Sequence, residues 1–209
     1  GKVKEALEAF GYYNPAVATR LETPGEGVYR LTVRVDAGEP VRVSSVTVKV
    51  QGAGAADRAL KQAEADFPVR AGDVLRHDAY EKAKGELLAK ALERGYLDAH
   101  FTVRTIRVDT AGSKAEIVLI LETGEPYRFG DVRFEGAPRY PRSFLETFLD
   151  FRPGEAYSGE KLLQTQLNFG TAQRFRSVVI QPDKTGARDR AVPVRVELDP
   201  LPQKGVRVG

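Results

Sequence analysis

The sequence carries the same punctuation twice: Gly38-Glu39-Pro40 and, 86 residues later, Gly124-Glu125-Pro126. Each lies between two stretches that read as strands. Before the second copy runs Ala115-Glu116-Ile117-Val118-Leu119-Ile120-Leu121-Glu122; after it Val132 and Phe134 alternate with Arg133 and Glu135, the period of a strand with one buried face. Before the first copy runs Val28-Tyr29-Arg30-Leu31-Thr32-Val33-Arg34-Val35, and after it Val46-Thr47-Val48-Lys49-Val50. Glycine reaches φ > 0 and proline fixes φ while giving up its N–H, so each Gly-Glu-Pro predicts a sharp turn between strands. A strand–turn–strand pattern used twice is an internal repeat. In a chain of 209 residues it predicts modules of roughly 75–85 residues, each burying a modest core.

The order of elements follows from periodicity. Val3, Ala6, Leu7 and Phe10 stand at helical spacing and stop at Gly11, a natural left-handed helix end. A strand over 16–22, turn chemistry at Thr23-Pro24-Gly25-Glu26-Gly27 and a strand over 28–35 predict a hairpin. A full unit then spans a strand over 41–50, a helix marked by Ala56, Leu60, Ala63 and Phe67, and a second helix over 78–94. The apolar stripe of that second helix is Tyr80, Ala83, Leu87, Leu88, Ala91 and Leu92, with Asp78 as N-cap and Gly95 just past its end. Strands over 100–108 and 115–122 close the unit, in the order β-α-α-β-β. The last unit repeats it: a strand over 132–135, a short helix with Phe144, Leu145, Phe148 and Leu149, a helix over 158–172 through Leu162, Leu163 and Leu167, and strands over 177–181 and 192–198. Its inter-helix loop, Phe151-Arg152-Pro153-Gly154-Glu155, matches Val69-Arg70-Ala71-Gly72-Asp73 in placement. Pro193 is expected among the first residues of its strand, where a missing N–H is tolerated. The helix ends align at Gly11, Gly95 and Gln173; a non-glycine residue held left-handed there costs roughly 1 kcal/mol.

Composition narrows the function. There is no cysteine, hence no disulfide or thiolate chemistry, and no methionine, so the chain is expected to be processed or excised from something longer. No apolar run approaches the ~18–20 residues of a membrane helix. The net charge of +3 comes with arginines spread singly along strands (Arg30, Arg34, Arg104, Arg107, Arg133, Arg195), the pattern of a solvated strand face. Of the two histidines, His77 adjoins Asp78 at a helix start and reads as part of a cap; His100 opens a strand. With no cysteine, no Gly-x-Ser-x-Gly elbow, no phosphate-binding glycine loop and no Gly-x-Gly-x-x-Gly, the sequence predicts no enzyme, no cofactor and no metal site.

A β-α-α-β-β unit with Gly-Asp between its helices, a Gly-Tyr helix end and copies joined by Gly-Glu-Pro resembles the POTRA domain. The stretches Ala9-Phe10-Gly11-Tyr12-Tyr13-Asn14-Pro15, Arg94-Gly95-Tyr96-Leu97-Asp98 and Tyr127-Arg128-Phe129-Gly130-Asp131-Val132-Arg133-Phe134-Glu135-Gly136 resemble most closely the periplasmic region of the TamA family, outer-membrane relatives of BamA. The resemblance implies an α+β fold of tandem POTRA modules, each a three-stranded mixed sheet with two helices on one face. Residues 1–40 would be the C-terminal half of a first module lacking its first strand and first helix, 41–126 a second module, 127–203 a third, and 204–209 the start of a membrane β-barrel.

It further implies a periplasmic arm of an outer-membrane protein of a Gram-negative bacterium, with three partners. These are unfolded outer-membrane or autotransporter clients, a TamB-like inner-membrane-anchored partner, and the protein's own C-terminal barrel; no nucleic acid is expected. The alternatives are the arm of a BamA-like or two-partner-secretion barrel and, from another class, a basic α+β module binding nucleic acid through its sheet. The aromatics Phe10, Tyr80, Phe144 and Phe148 fall on helices with a core-facing pattern, against that last reading. In POTRA-like topology the second strand of each unit is an edge. The candidate client-binding residues are therefore Phe101, Thr102, Val103 and Arg104, and Ser177, Val178, Val179 and Ile180, with Arg104, Arg107 and Pro182 placed to blunt the edges. Four or five added backbone bonds at about 0.5–1.5 kcal/mol each, set against an association cost of ~4–15 kcal/mol, predict a weak, transient contact. The short proline-containing joints predict a preferred angle between neighbouring modules.

Overall fold

The structure, a computed structural model, describes residues 2–25 and 27–202. Its elements are α1 (Lys2–Glu8), β1 (Ala16–Gly25), β2 (Val28–Asp36), β3 (Arg42–Gln51), α2 (Arg58–Ala65), α3 (His77–Glu93), β4 (His100–Asp109) and β5 (Lys114–Glu122). β6 (Arg128–Glu135), α4 (Arg142–Glu146), α5 (Gly159–Thr171), β7 (Phe175–Pro182) and β8 (Ala191–Pro200) follow. None of the described helices is long and apolar enough to cross a membrane. The expected barrel strand at 204–209 lies outside the described residues. The chain forms two compact units, one from Gly1–Val50, Arg58–Leu88 and His100–Glu122, the other from Gln51–Asp57, Ala89–Ala99 and residues 123 onward.

In the first unit β1 and β2 form an antiparallel hairpin whose two faces differ. Val17, Thr19 and Leu21 stand opposite Val35, Val33 and Leu31; on the other face Ala18, Arg20 and Glu22 stand opposite Arg34, Thr32 and Arg30. The apolar face is uncovered, with Leu21 and Leu31 64% and 63% exposed. β1 runs on to Gly25 through an irregularity after Glu22, so the hairpin turn is tighter than the turn residues at 23–27 predict. Phe10 lies beyond the end of α1 and is half exposed, with the Arg76 guanidinium 5.6 Å over its ring; it is not a core residue.

The sheet of this unit has the order β3-β5-β4, the third strand in the middle as expected. β5 buries every second residue (Ala115, Ile117, Leu119, Leu121), while α2 buries Leu60 and α3 buries Tyr80, Ala83 and Leu87 at helical spacing. α3 starts one residue early, at His77, so Asp78 is in its first turn and not its N-cap. Its carboxylate instead pairs with Arg76 at 2.7 Å, and that hydrogen bond holds it below the usual carboxylate range.

The second unit has the order β6-β8-β7, with β6 parallel and β7 antiparallel to β8. β8 buries Val192, Val194, Val196 and Leu198. Aromatic rings fill the space beneath it: Phe129 stacks on Phe151 at 3.9 Å, and Phe169 meets Phe148 at 4.8 Å and Phe175 at 5.6 Å. β6 begins at Arg128, four residues before the predicted start, because it contains a bulge. The register passes from Phe129↔Val192 to Val132↔Val194, setting Gly130 and Asp131 against Pro193 alone. That accounts for a proline third in a central strand: the ladder is interrupted where its N–H would be needed. A Cβ on Gly130 would stand 2.9 Å from the Pro193 nitrogen, so the bulge requires glycine.

Two helices differ from their sequence patterns. α4 ends at Glu146, and Phe148 and Leu149 follow it in a turn while still packing against the core. In α5, capped by Ser158 accepting the Lys161 N–H at 3.3 Å, the buried positions are Thr165 and Phe169. Leu163 and Leu167 are 61% and 51% exposed, because the aromatic cluster around Phe169 fixes the rotation of the helix. The aligned helix ends do share a left-handed residue: φ is 90° at Gly11, 91° at Gly95 and 52° at Gln173.

Candidate functional site

Each sheet has two outer strands, and the backbone treats them differently. The loop between the helices folds back on the first strand. In the first unit Val43 N–H donates to Asp73 O at 2.8 Å, Gly72 N–H to Val43 O at 2.8 Å and Leu75 N–H to Val41 O at 2.9 Å. The second unit repeats these contacts, with Phe129 N–H to Glu155 O at 2.9 Å, Gly154 N–H to Phe129 O at 2.7 Å and Tyr157 N–H to Tyr127 O at 3.0 Å. The matched Arg-x-Gly-Asp/Glu loops are thus short edge caps, a role their placement in the sequence did not reveal. On the far side, β4 and β7 have no further strand beside them among the described residues.

The predicted edge residues all lie on these two strands. Phe101, Thr102, Val103 and Arg104 are at the start of β4, and Ser177, Val178, Val179 and Ile180 are in the middle of β7. The β4 ladder skips between Phe101 and Val103, leaving Thr102 as a bulge whose hydroxyl donates to Ile120 O at 3.4 Å. β7 is regular from Ser177 to Pro182. Gln166 of α5, however, donates its side-chain amide to the Val178 carbonyl at 2.6 Å.

Both units also hold a tight joint at a glycine. In the first, Val41 N–H donates to Gly11 O at 2.8 Å, and a Cβ on Gly11 would stand 2.5 Å from Leu75 O. In the second, Tyr127 N–H donates to Gly95 O at 2.9 Å, and a Cβ on Gly95 would stand 2.8 Å from Tyr157 O. The side chains three residues on differ. Asn14 donates to the Thr110 carbonyl at 2.9 Å, and nearby the Tyr13 hydroxyl shares a 2.7 Å hydrogen bond with His77 Nε2. At the equivalent position Asp98 is the centre of an ion cluster: Lys184 Nζ at 2.8 Å, Arg190 Nη1 at 3.3 Å and the Tyr127 hydroxyl donating at 2.9 Å. The hydrogen bond from Lys184, helped by those from Tyr127 and Arg190, holds the Asp98 carboxyl below the usual carboxylate range against a weaker opposing effect of burial. Arg190 is presented by a turn in which it and Asp189 both have positive φ, 60° and 48°, and its guanidinium also lies 5.2 Å over the Tyr127 ring. Asp98 stands in a stretch singled out in the sequence; its partners, far away along the chain, could not be read there.

An open cavity of about 720 Å³ on the helix-free face of the β6-β8-β7 sheet is lined by Arg128, Arg133 and Arg188 and by Asp131, Asp183 and Asp189. Its charges alternate in sign, and no histidine lines it. Among the described residues no three His, Cys, Asp or Glu side chains are grouped to hold a metal ion.

Residues 1–37 match the family described as POTRA domain TamA domain 1, and residues 127–200 match the POTRA family described as surface antigen variable number repeat. Among solved structures, POTRA domains 3–5 of BamA from Haemophilus influenzae share the fold at 19% identity and a TM-score of 0.57, over 95% of this chain and 80% of that one. BamA from Haemophilus ducreyi lacking POTRA domains 1–3 does so at 16% identity and a TM-score of 0.61, over 77% of this chain but only 29% of its own length. Helix-backed three-stranded sheets of β-α-α-β-β order, present twice along one chain, are the POTRA fold. The chain belongs to the POTRA family.

Proposed function

We propose that this chain is a non-enzymatic periplasmic arm that receives unfolded outer-membrane or autotransporter clients by β-strand addition and docks an inner-membrane-anchored, TamB-like partner. It would divide into POTRA modules over 1–40, 41–126 and 127–203. The observation that carries the reading is the pair of outer strands β4 and β7, each without a neighbouring strand on its outer side among the described residues, while the opposite strand is capped by its own inter-helix loop. Unpaired edge N–H and C=O groups template an extended chain. Client contact would fall on Phe101, Thr102, Val103 and Arg104 and on Ser177, Val178, Val179 and Ile180. The match of residues 1–37 to a TamA POTRA domain supports the TamA-type partner over the arm of a BamA-like or two-partner-secretion barrel. The test is an amide NMR titration of the labelled chain with an extended outer-membrane-protein terminal peptide and, separately, with a periplasmic piece of the TamB-like partner. Client shifts on β4 or β7 and partner shifts within residues 2–36 are expected. Silence to both ligands would sink the reading.

A further inference from the structure

The two edges are not equivalent. Resting on the strand-addition reading above but replacing its contact residues 101–104 and 177–180, we propose that the added strand lies on β4 along residues 104–109, beyond the segment nearest the start of the strand, and that β7 is closed to it. Three observations lead there. First, the β4 ladder is broken at Thr102 but runs without interruption from Arg104↔Leu119 to Asp109↔Lys114. A bulge bends and twists a strand and interrupts templating at that point, whereas six regular residues present an unbroken edge.

Second, β7 is obstructed at both ends of its regular stretch. Gln166 already occupies the Val178 carbonyl at 2.6 Å, and Pro182 offers no N–H. Only residues 179–181 remain, too short a ladder to hold a peptide. The residue equivalent to Gln166 in α3, counted back from the aligned helix ends, is Leu88, which cannot donate a hydrogen bond to a strand.

Third, the open part of β4 carries a charge pattern. Arg104 stands opposite Leu119, on the helix-covered side of the sheet, together with Ile106 and Val108, which stand opposite Ile117 and Ala115. Arg107 stands opposite Glu116 on the other side with Thr105. Both arginines are exposed, and neither forms an ion pair with another described residue. A strand laid beside β4 therefore meets one guanidinium on each face, three residues apart, with Ile106 between them and Val108 just beyond. The occupant that fits is an extended segment with carboxylates at i and i+3 and β-branched or aliphatic residues on the face beside Ile106 and Val108. A segment with lysines at those two places would meet like charge on both faces.

The experiment is an amide NMR titration of the 209-residue chain with a ten-residue peptide containing Lys-Val-Glu-Val-Thr-Glu, which places these residues for antiparallel pairing. A control peptide carries Lys at both Glu positions. Shifts concentrated on residues 103–109 with the Glu peptide, weaker with the Lys peptide, are expected. In Arg107→Glu, at an exposed position, affinity for the Glu peptide should fall about 2–5-fold, as for the loss of one surface ion pair, and the Lys peptide should gain. Val108→Pro, which deletes an N–H on the outer side of β4 because Val108 stands opposite Ala115, whose carbonyl faces β3, should reduce shifts along the same stretch. Gln166→Ala should let the peptide shift residues 177–181, which are expected to stay silent in the parent chain. Shifts on 177–182 with 103–109 unmoved would overturn the choice of edge while leaving strand addition standing. Shifts on 103–109 that ignore the charge swap would overturn the carboxylate specificity. Silence on both edges would overturn this proposal and the strand-addition reading together.

Discussion

Replacing Gly95 by alanine tests why a glycine stands at that helix end. Two effects act there. With φ at 91°, an L-residue bears a backbone cost of about 1–2 kcal/mol. A Cβ would also stand 2.8 Å from the Tyr157 carbonyl oxygen, a backbone atom. That oxygen cannot retreat freely, because its loop is tied to Tyr127 and Phe129 by bonds of 2.7, 2.9 and 3.0 Å. Moving Gly95 away instead strains the 2.9 Å bond from Tyr127 N–H to its carbonyl. Overpacking of this kind costs about 1–3 kcal/mol, so the total expected for Gly95→Ala is about 2–5 kcal/mol. Gly95→Asn separates the two effects. Asparagine tolerates the left-handed region but still carries a Cβ, so if the close approach dominates, it should remain destabilised by at least about 1 kcal/mol. At Gln173 the helix end is left-handed with a side chain already present, and Gln173→Gly should change stability by less than about 1 kcal/mol, on the favourable side. Urea unfolding combined with amide exchange, which reports the second unit by itself, measures all three. A Gly95→Ala protein within about 0.5 kcal/mol of the parent, inside the range of ordinary surface changes, would refute the close-approach argument.

Asp98→Asn should destabilise the second unit by only about 1 kcal/mol, since its partners are close to half exposed and solvent screens them. Because the folded carboxyl titrates below its ordinary value, its contribution is present above about pH 4 and lost as pH falls through the lowered folded value; acid unfolding of parent and variant should therefore converge at low pH, and a constant gap across the titration would exclude the ion cluster as the cause. Leu119→Ala, at a fully buried position, should cost about 2–5 kcal/mol. Leu31→Ala, on the uncovered hairpin face, should stay within about 0.5 kcal/mol of the parent by thermal unfolding. Gly130→Ala should cost about 1–3 kcal/mol by crowding the backbone at Pro193, read as a lower urea midpoint with an unchanged slope.

Much of the molecule was legible in the chain because it depends on local rules. The β-α-α-β-β order follows from periodicity and turn residues, and the left-handed helix ends at Gly11, Gly95 and Gln173 follow from alignment of the repeats. Even the placement of Phe101–Arg104 and Ser177–Ile180 on outer strands follows from the order of strands once the fold is recognised. What could not be read depends on register and on the rotation of one element against another. Pro193 falls among the first residues of its strand as periodicity and its missing N–H require, but no local pattern says that Gly130 and Asp131 share it as a single partner. No local pattern says which side of α5 faces inward either: Leu163 and Leu167 look like core and are not, because Phe169 and its aromatic neighbours decide the phase. The same rotation brings Gln166 onto Val178, and the same kind of register detail puts a bulge at Thr102. The sequence by itself determined that there are strand edges and which strands own them. Only the tertiary structure decided which stretch of edge is open, because that depends on contacts between residues that periodicity and turn chemistry treat as independent.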